Sequence, residues 1–330
     1  MRAVVVREFG GIENALLGEM PKPEVKPGEV LVEVHATAVN FVDLVMMSGK
    51  YQFTPALPFI PGKLPARIVS AVGAGVTKFK PGDHAIAMAE QGGFAEFVAM
   101  PESQCIPLPP SLPFDEAAAM SLIYDTAYFA LRDRARIAPG ETVLVLGATG
   151  GVGLAAIQLA KAMGGKVLAA VATPDKEDIV RAAGADAVID LSTPDLKESL
   201  RAQVFAKTDK HGVDIILDML GGDIFDAAIR ALAWRGRLVV IGFAAGRIPT
   251  LKTNYLLVKN IEVSGMQISD YRKRRPADMA ACFKEIFDWH AAGKLKPLPT
   301  KVYPIEQFAA AMHEIQDRTV RGRVVLSQGK

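Results

Sequence analysis

Cysteine is almost missing from this chain: Cys105 and Cys282 are the two among 330 residues. They rule out a disulfide framework, allow at most one bridge, and suit a reducing compartment, so a cytoplasmic location is expected. Excess charge is missing as well. Lysine plus arginine number 38 against 36 aspartates and glutamates, a formal +2. That balance offers no general ground for binding nucleic acid or a membrane surface, and neither partner is expected. The longest basic run, Arg272-Lys273-Arg274-Arg275, reads as a solvated turn before Pro276. Long apolar runs are absent too. Nothing approaches the roughly 20 residues of a membrane span, and Val4-Val5-Val6 is too short for a signal-peptide core. The histidines His35, His84, His211, His290 and His313 show no paired metal spacing.

What is present is a hydrophobic fraction of 50% with 22% charge, the composition of a globular protein. The length suits two domains. Up to about residue 110 the chain is rich in Gly, Pro and Val. Short, partly alternating segments, Glu29–Ala36, Arg67–Val72, His84–Ala89 and Phe94–Ala99, lie between turn signals such as Pro27-Gly28, Pro61-Gly62, Pro81-Gly82-Asp83 and Gly92-Gly93. This spacing predicts a compact, barrel-like β domain. Helices are expected at Phe114–Met120 and Tyr124–Arg136. From Glu141 strands alternate with helices: strands at Thr142–Leu146, Lys166–Ala172, Ala187–Leu191, Val213–Met219 and Arg237–Ile241, and helices at Val152–Met163, Asp175–Ala183, Leu196–Phe205 and Ile224–Ala233. Apolar strands separated by helices of this length predict a parallel sheet covered on both faces, hence an α/β fold. After a strand at Ile261–Val263 the pattern breaks. Helices at Ala277–Ala292 and Ile305–Ile315 flank strand Thr300–Tyr303, and Arg323–Ser327 closes as a strand. The α/β unit therefore reads as an insertion, with 1–122 and 264–330 forming one domain and 123–263 the other.

The most informative segment joins strand Thr142–Leu146 to the following helix: Gly147-Ala148-Thr149-Gly150-Gly151-Val152-Gly153. A strand before it and an amphipathic helix after it are the context a dinucleotide-binding turn requires. Glycines permit the tight turn and let a pyrophosphate approach main-chain N–H groups at the helix start. The expected binding residues are Gly147, Thr149, Gly150, Gly151, Val152 and Gly153. The spacing is G-x-x-G-x-x-G and departs from the strict G-x-G-x-x-G. At the end of the second strand, where an NAD-binding protein carries an acidic residue, this chain has Ala169-Ala170-Val171-Ala172-Thr173. Thr173 could donate a hydrogen bond and Lys176 could meet a 2′-phosphate, which favours NADPH over NADH, although Asp175 stands close by.

With that motif in place, the whole chain resembles the zinc-independent quinone oxidoreductase (NADPH:quinone reductase) branch of the medium-chain dehydrogenase/reductase superfamily. The resemblance is carried by Val39-Asn40-Phe41-Val42-Asp43, Ser48-Gly49-Lys50-Tyr51, Leu57-Pro58-Phe59-Ile60-Pro61-Gly62, Gly92-Gly93-Phe94-Ala95-Glu96-Phe97, Asp125-Thr126-Ala127-Tyr128, Ala182-Ala183-Gly184-Ala185-Asp186, Leu220-Gly221-Gly222-Asp223 and Leu256-Leu257-Val258-Lys259-Asn260, in that order and spacing. It implies a Rossmann doubly wound sheet inserted in a GroES-like β-rich catalytic domain. It also implies NADPH-dependent reduction of quinones or α,β-unsaturated carbonyls, and a homodimer or homotetramer paired along Ile261-Glu262-Val263-Ser264-Gly265. By the same resemblance Asn40, Asp43, Tyr51 and Thr126 match residues lining the nicotinamide and substrate site, and Gly242-Phe243 would lie beside the nicotinamide.

Two departures stand out. The family commonly reads P-G-x-E-x-A-G where this chain has Pro61-Gly62-Lys63-Leu64-Pro65-Ala66-Arg67, leaving acceptor specificity open; Lys63 and Arg67 could attract an anionic substrate. Asp190-Leu191 stands where many members carry a tyrosine near the 2′-phosphate. Relatives that use catalytic zinc ligate it with cysteine and histidine, and the corresponding positions here hold Asp43 and Lys63, so no zinc is expected. The resulting expectation is hydride transfer from NADPH to a quinone or enone. The alternative from another class is an NADPH-binding protein without significant catalysis, serving regulation, structure or RNA contact.

Overall fold

Alternation of valine with polar residues builds the first sheet, and turn glycines end its strands. In the computed structural model, which describes residues 1–329, the chain opens with the antiparallel pair β1 (Arg2–Val6) and β2 (Ala15–Glu19). Then come β3 (Glu29–Ala38), α1 (Phe41–Met47), β4 (Ala66–Val72), β5 (His84–Ala87), β6 (Phe97–Pro101), β7 (Cys105–Pro107) and α2 (Phe114–Phe129). The α/β part follows as β8 (Thr142–Leu146), α3 (Gly151–Ala162), β9 (Lys166–Val171), α4 (Glu177–Ala182), β10 (Ala187–Asp190), α5 (Leu196–Lys207), β11 (Val213–Asp218), α6 (Gly222–Ala228), β12 (Leu232–Val240), α7 (Asn254–Lys259) and β13 (Glu262–Gly265). The chain closes with α8 (Ile268–Arg274), α9 (Pro276–Ala291), β14 (Thr300–Pro304), α10 (Phe308–Gln316) and β15 (Arg323–Ser327).

Two compact units result. The first takes Met1–Leu122, Ser269–Phe283 and the chain from Pro297 onward. Its seven-stranded sheet runs β14-β15-β3-β4-β5-β7, with β6 also paired to β3. On β3, Val32, Val34 and Ala36 are buried while Glu33 and His35 between them are half-buried, the period-2 pattern of a strand with one face on a core. Val30, Val32 and Val34 pack there against Val69, Phe79 and Ala87.

The second unit takes Ile123–Ile268 and Lys284–Lys296. Its six strands are all parallel, in the order β10-β9-β8-β11-β12-β13. This is the doubly wound order in which the first strand, β8, lies in the middle and the chain leaves it in opposite directions. Val143, Leu144, Val145 and Leu146 have no solvent exposure, because helices cover both faces of the sheet. Among the described residues no helix is long and apolar enough to cross a membrane.

The structure departs from the sequence pattern at several places. Phe114–Met120 and Tyr124–Arg136 are not separate helices. One helix, α2, runs to Phe129 and continues as a π turn over Ala130–Arg134, since Ser121-Leu122-Ile123 holds no breaker and Ser121 Oγ bonds the Ala118 carbonyl at 2.9 Å. The expected helix Ile224–Ala233 is shorter and earlier, and its last residues already belong to β12. Return to the first unit comes at Ser269, five residues beyond the expected 264, and Lys284–Lys296 stays with the second unit. The reason is polar: Glu285 accepts from Tyr128 Oη at 2.5 Å and Arg132 Nη2 at 2.8 Å, and Gln158 exchanges two hydrogen bonds with the Lys296 backbone. The basic run is no solvated turn. Its first three residues end α8, and Arg272 is 1% exposed.

The central strand carries the second unit's stability. Leu144→Ala should lower the unfolding free energy by about 2–5 kcal/mol, as large-to-small changes in tight cores do, measured by urea denaturation with an unchanged far-ultraviolet circular dichroism spectrum.

Candidate functional site

In the second unit, β8 ends at Leu146 and the backbone turns at Gly147, whose φ of +77° is one that side-chain-bearing residues rarely adopt. The Gly150 N–H donates to the Gly147 carbonyl at 3.1 Å, and α3 starts at the next residue. A Cβ at Gly153 would lie 2.3 Å from the Gly147 oxygen and 2.7 Å from Ala148 Cα, so only glycine lets the helix approach the turn this closely. No side chain caps α3, and its first turn carries no acidic residue. The N–H groups of Gly151, Val152 and Gly153 thus lack intrahelical acceptors, and the positive end of the helix dipole has no carboxylate against it. Gly150 is exposed and Thr149 half-buried, so the turn is open to an anion.

The other expected cofactor residues sit at strand ends of the same sheet. Thr173 is exposed just past β9 and precedes a single 3₁₀ turn, Pro174–Lys176, in which Lys176 is half-buried. Asp190, ending β10, accepts from the Ser192 hydroxyl at 2.6 Å and the Ser192 N–H at 2.8 Å; the hydroxyl, then the N–H, holds its carboxyl below the usual range. Past β12, the Gly242 N–H donates to the Asp218 carbonyl at 3.2 Å, and Phe243 is 42% exposed. Asp218 itself escapes the sequence reading. It ends β11, paired in register with Leu146, and its Oδ1 accepts the N–H groups of Leu220 and Gly221 at 2.9 Å each. Oδ2 is buried without a hydrogen-bond partner, and burial pushes this carboxyl up against the pull of those two N–H groups. Thr126, on α2, is buried with Oγ1 3.3 Å from Asp125 Oδ1.

In the first unit, Asn40, Asp43 and Tyr51 meet a buried charge cluster. Asn40 precedes α1 and is 4% exposed; its Oδ1 accepts from Arg323 Nη2 at 2.7 Å and its Nδ2 donates to the Ala38 carbonyl at 3.0 Å. Asp43, one turn into the helix, has no exposure. Oδ2 accepts the Asn40 N–H at 2.9 Å and Oδ1 the Gly62 N–H at 3.3 Å, which ties the helix start to the Pro61-Gly62 turn. Lys63 is buried and donates to Glu90 Oε2 at 2.6 Å, with Nζ 5.6 Å from the centre of the Tyr51 ring. Glu90 also accepts from Arg272 Nη1 at 2.8 Å and Ser269 Oγ at 2.6 Å. Neither basic residue of the atypical loop is a free surface charge, for Arg67 Nη1 lies 3.3 Å from Glu33 Oε1. Glu90, Ser269, Arg272 and Arg323 carry no local sequence signal: Lys63 and Glu90 are 27 residues apart, Glu90 and Arg272 182, and Asn40 and Arg323 283.

Burial separates the two carboxylates. Asp43 is pushed up to about 6 by desolvation, against the Asn40 N–H, the Lys63 charge, the Gly62 N–H and the Arg323 charge. Desolvation also raises Glu90, but Arg272, Lys63 and Ser269 outweigh it and bring the group down to about 2. The signs are opposite. Glu90's contribution to stability is complete above its ordinary 4.5 and is lost as pH falls through about 2. Asp43's is complete below its ordinary 3.8 and is lost as pH rises through about 6. At pH 7 Glu90→Gln, which removes the carboxylate that buried Lys63 and Arg272 share, should cost about 3–5 kcal/mol. The difference from the unsubstituted protein should shrink between pH 4.5 and about 2, read from urea unfolding curves at each pH.

Comparison with known proteins agrees with both halves. The family model described as "Alcohol dehydrogenase GroES-like domain" matches residues 26–110, and the one described as "Zinc-binding dehydrogenase" matches residues 151–285. The "Quinone oxidoreductase-like protein 2 homolog" of Nematostella vectensis is 35% identical, over 99% of this chain and 88% of its own. The solved quinone oxidoreductase of Pseudomonas syringae pv. tomato DC3000 superposes with a TM-score of 0.92 at 30% identity, covering 99% of each chain. Mycobacterial Rv1454c, solved complexed with NADPH, gives 0.91 at 30% identity over 99% of this chain and 100% of that one. The doubly wound sheet with its glycine turn, the GroES-like unit and these full-length similarities together make this chain an oxidoreductase of the quinone oxidoreductase branch of the medium-chain dehydrogenase/reductase superfamily.

Proposed function

We propose that the chain reduces a quinone or an α,β-unsaturated carbonyl with NADPH and without zinc. The observation that carries this reading is the turn after β8, where the helix start has no capping side chain and a Cβ at Gly153 would collide with the Gly147 carbonyl. NADPH fits that cradle, and Rv1454c, solved complexed with NADPH, supports the choice of cofactor. When bound, the cofactor supplies the hydride; the protein's part is to hold, orient and exclude water. The amides of Gly151, Val152 and Gly153 would take the pyrophosphate. Thr173 and Lys176 would take the 2′-phosphate, and Gly242-Phe243 would flank the nicotinamide. Asn40 and Thr126 would steady its carboxamide end, with Tyr51 a wall for the acceptor. Asp43, whose two oxygens each accept a main-chain N–H, would act by holding α1 to the Gly62 turn.

A zinc ion does not fit these residues. Lys63 brings a positive charge to the place where a metal ligand would stand, and burial holds the Cys105 thiol at about 12, unfavourable to a thiolate ligand. Among the described residues no three His, Cys, Asp or Glu side chains are grouped to hold a metal ion. Hydride transfer to an activated acceptor needs no Lewis acid, since the hydroquinone anion or enolate it forms takes its proton from water. Two copies of the chain would pair along the open edge of β13, which bonds only β12 within the sheet, and the free, buried cysteines suit the cytoplasm.

Absorbance at 340 nm, followed with NADPH across a panel of quinones and enones, should show cofactor oxidation; tight NADPH binding with no turnover on any acceptor would overturn the catalytic reading. Gly153→Ala should weaken both NADPH and NADH at least tenfold in fluorescence titration. Lys176→Glu should weaken NADPH by about tenfold, one lost charge-assisted contact, and leave NADH unchanged; equal loss of both would remove Lys176 from the phosphate site.

A further inference from the structure

Asp218 is a fully buried acid at the end of β11. Its Oδ1 accepts the N–H groups of Leu220 and Gly221 at 2.9 Å each, so the side chain folds back onto its own backbone. Its Oδ2 is buried with no hydrogen-bond partner. An unpaired buried oxygen costs free energy, and a group kept at that cost calls for an account. The turn that Asp218 closes has two consecutive residues of positive φ, Gly221 at +68° and Gly222 at +59°. Glycine enters that region readily and leaves it as readily, so Gly221-Gly222 sets no conformation of its own. The carboxylate does, by fixing two N–H donors to one oxygen.

The connections on both sides rest on this turn. On one side, a Cβ at Gly147 would lie 3.2 Å from Leu220 Cδ2, so the Leu220 side chain packs against the glycine turn after β8. On the other, the Asp218 carbonyl accepts the N–H groups of Ile241 at 2.8 Å and Gly242 at 3.2 Å. The Met219 and Leu220 carbonyls accept those of Ala244 and Ala245 at 3.0 and 2.9 Å, and the Gly222 N–H donates to the Arg247 carbonyl at 3.0 Å. A Cβ at Gly221 would lie 3.0 Å from Phe243 Cδ1, which places the Phe243 ring on that glycine. Residues 218–222 thus join the Gly147 turn to the Gly242-Phe243 segment, all within the second unit. We propose that Asp218 is a positioning residue for the dinucleotide: by accepting from Leu220 and Gly221 it fixes the turn that sets Gly147 and Phe243 relative to each other. The proposal rests on the functional reading above and adds to it a residue that acts through its neighbours and touches neither cofactor nor acceptor. Asp218 serves as an acceptor and not as a charge, so an amide oxygen in the same place does as well.

The test titrates the full chain with NADPH and NADH, followed by the fluorescence of the reduced nicotinamide. Asp218→Ala should raise both dissociation constants about tenfold or more, the scale of two lost hydrogen bonds, with an unchanged far-ultraviolet circular dichroism spectrum. Asp218→Asn, which keeps the accepting oxygen, should recover both to within about threefold of the unsubstituted protein. An Ala variant within about threefold of the unsubstituted protein, or an Asn variant as weak as the Ala variant, overturns the proposal and leaves the functional reading standing. An unsubstituted protein that holds neither nicotinamide overturns both. A second measurement needs no variant and decides the question should the Ala variant not fold. Saturating NADPH should slow hydrogen exchange at the Leu220 and Gly221 amides about tenfold or more, since N–H groups held by Asp218 exchange only when the turn opens. Protection at the Gly147 turn with unchanged exchange at Leu220 and Gly221 overturns the proposal.

Discussion

The approach of α3 to the end of β8 governs what the second unit can do. Gly147 takes the left-handed turn, and Gly153 leaves a space that a methyl group would overfill. The helix therefore starts against the strand end with no capping side chain, and its first amides have no intrahelical acceptor. The sheet order puts this turn beside β11, on the side where neighbouring connections diverge. Main-chain geometry thus leaves donors that would hold an anion, on residues that carry no charge. On the proposed reading, the cost of leaving those donors without acceptors would be offset by a bound diphosphate.

The first unit solves a different problem. Lys63 stands in a tightly constrained loop: Gly62 has a φ of +92° and no room for a Cβ against Phe94 and Gly93, and Leu64 has a φ of +51°. The Lys63 side chain is 3% exposed, and a carboxylate meets its charge. Glu90 does so from the segment after β5, and α8 adds Arg272 and Ser269. Asp43 and Arg323 extend the polar interior toward Asn40. Their surroundings set the two acids apart: Arg272, Lys63 and Ser269 bring Glu90 down to about 2, and desolvation pushes Asp43 up to about 6.

The α/β half was largely legible in the sequence, because its strands are continuous apolar runs and its turn is a local motif. Thr142–Leu146 matches β8 residue for residue, and Leu196–Phe205 falls within α5. The β-rich half was less so. Short strands with weak alternation left β1 and β2 unread, and the seven residues of α1 gave no periodicity to detect. Arg272 looked like a surface charge because composition says nothing about a partner 182 residues away. Asn40, Asp43 and Tyr51 were singled out through family likeness, whereas Arg323, which bonds Asn40, and Glu90 and Ser269, which gather around Lys63, come from distant segments and are visible only once the chain has folded.

Hydrogen–deuterium exchange on the full chain, with and without NADPH, probes the main-chain cradle directly. The account predicts that NADPH slows exchange in the peptide spanning Gly147–Leu154, with the strongest protection at the amides of Gly151 to Gly153. Binding of NADPH that leaves this segment's exchange unchanged and protects another part of the chain would contradict it.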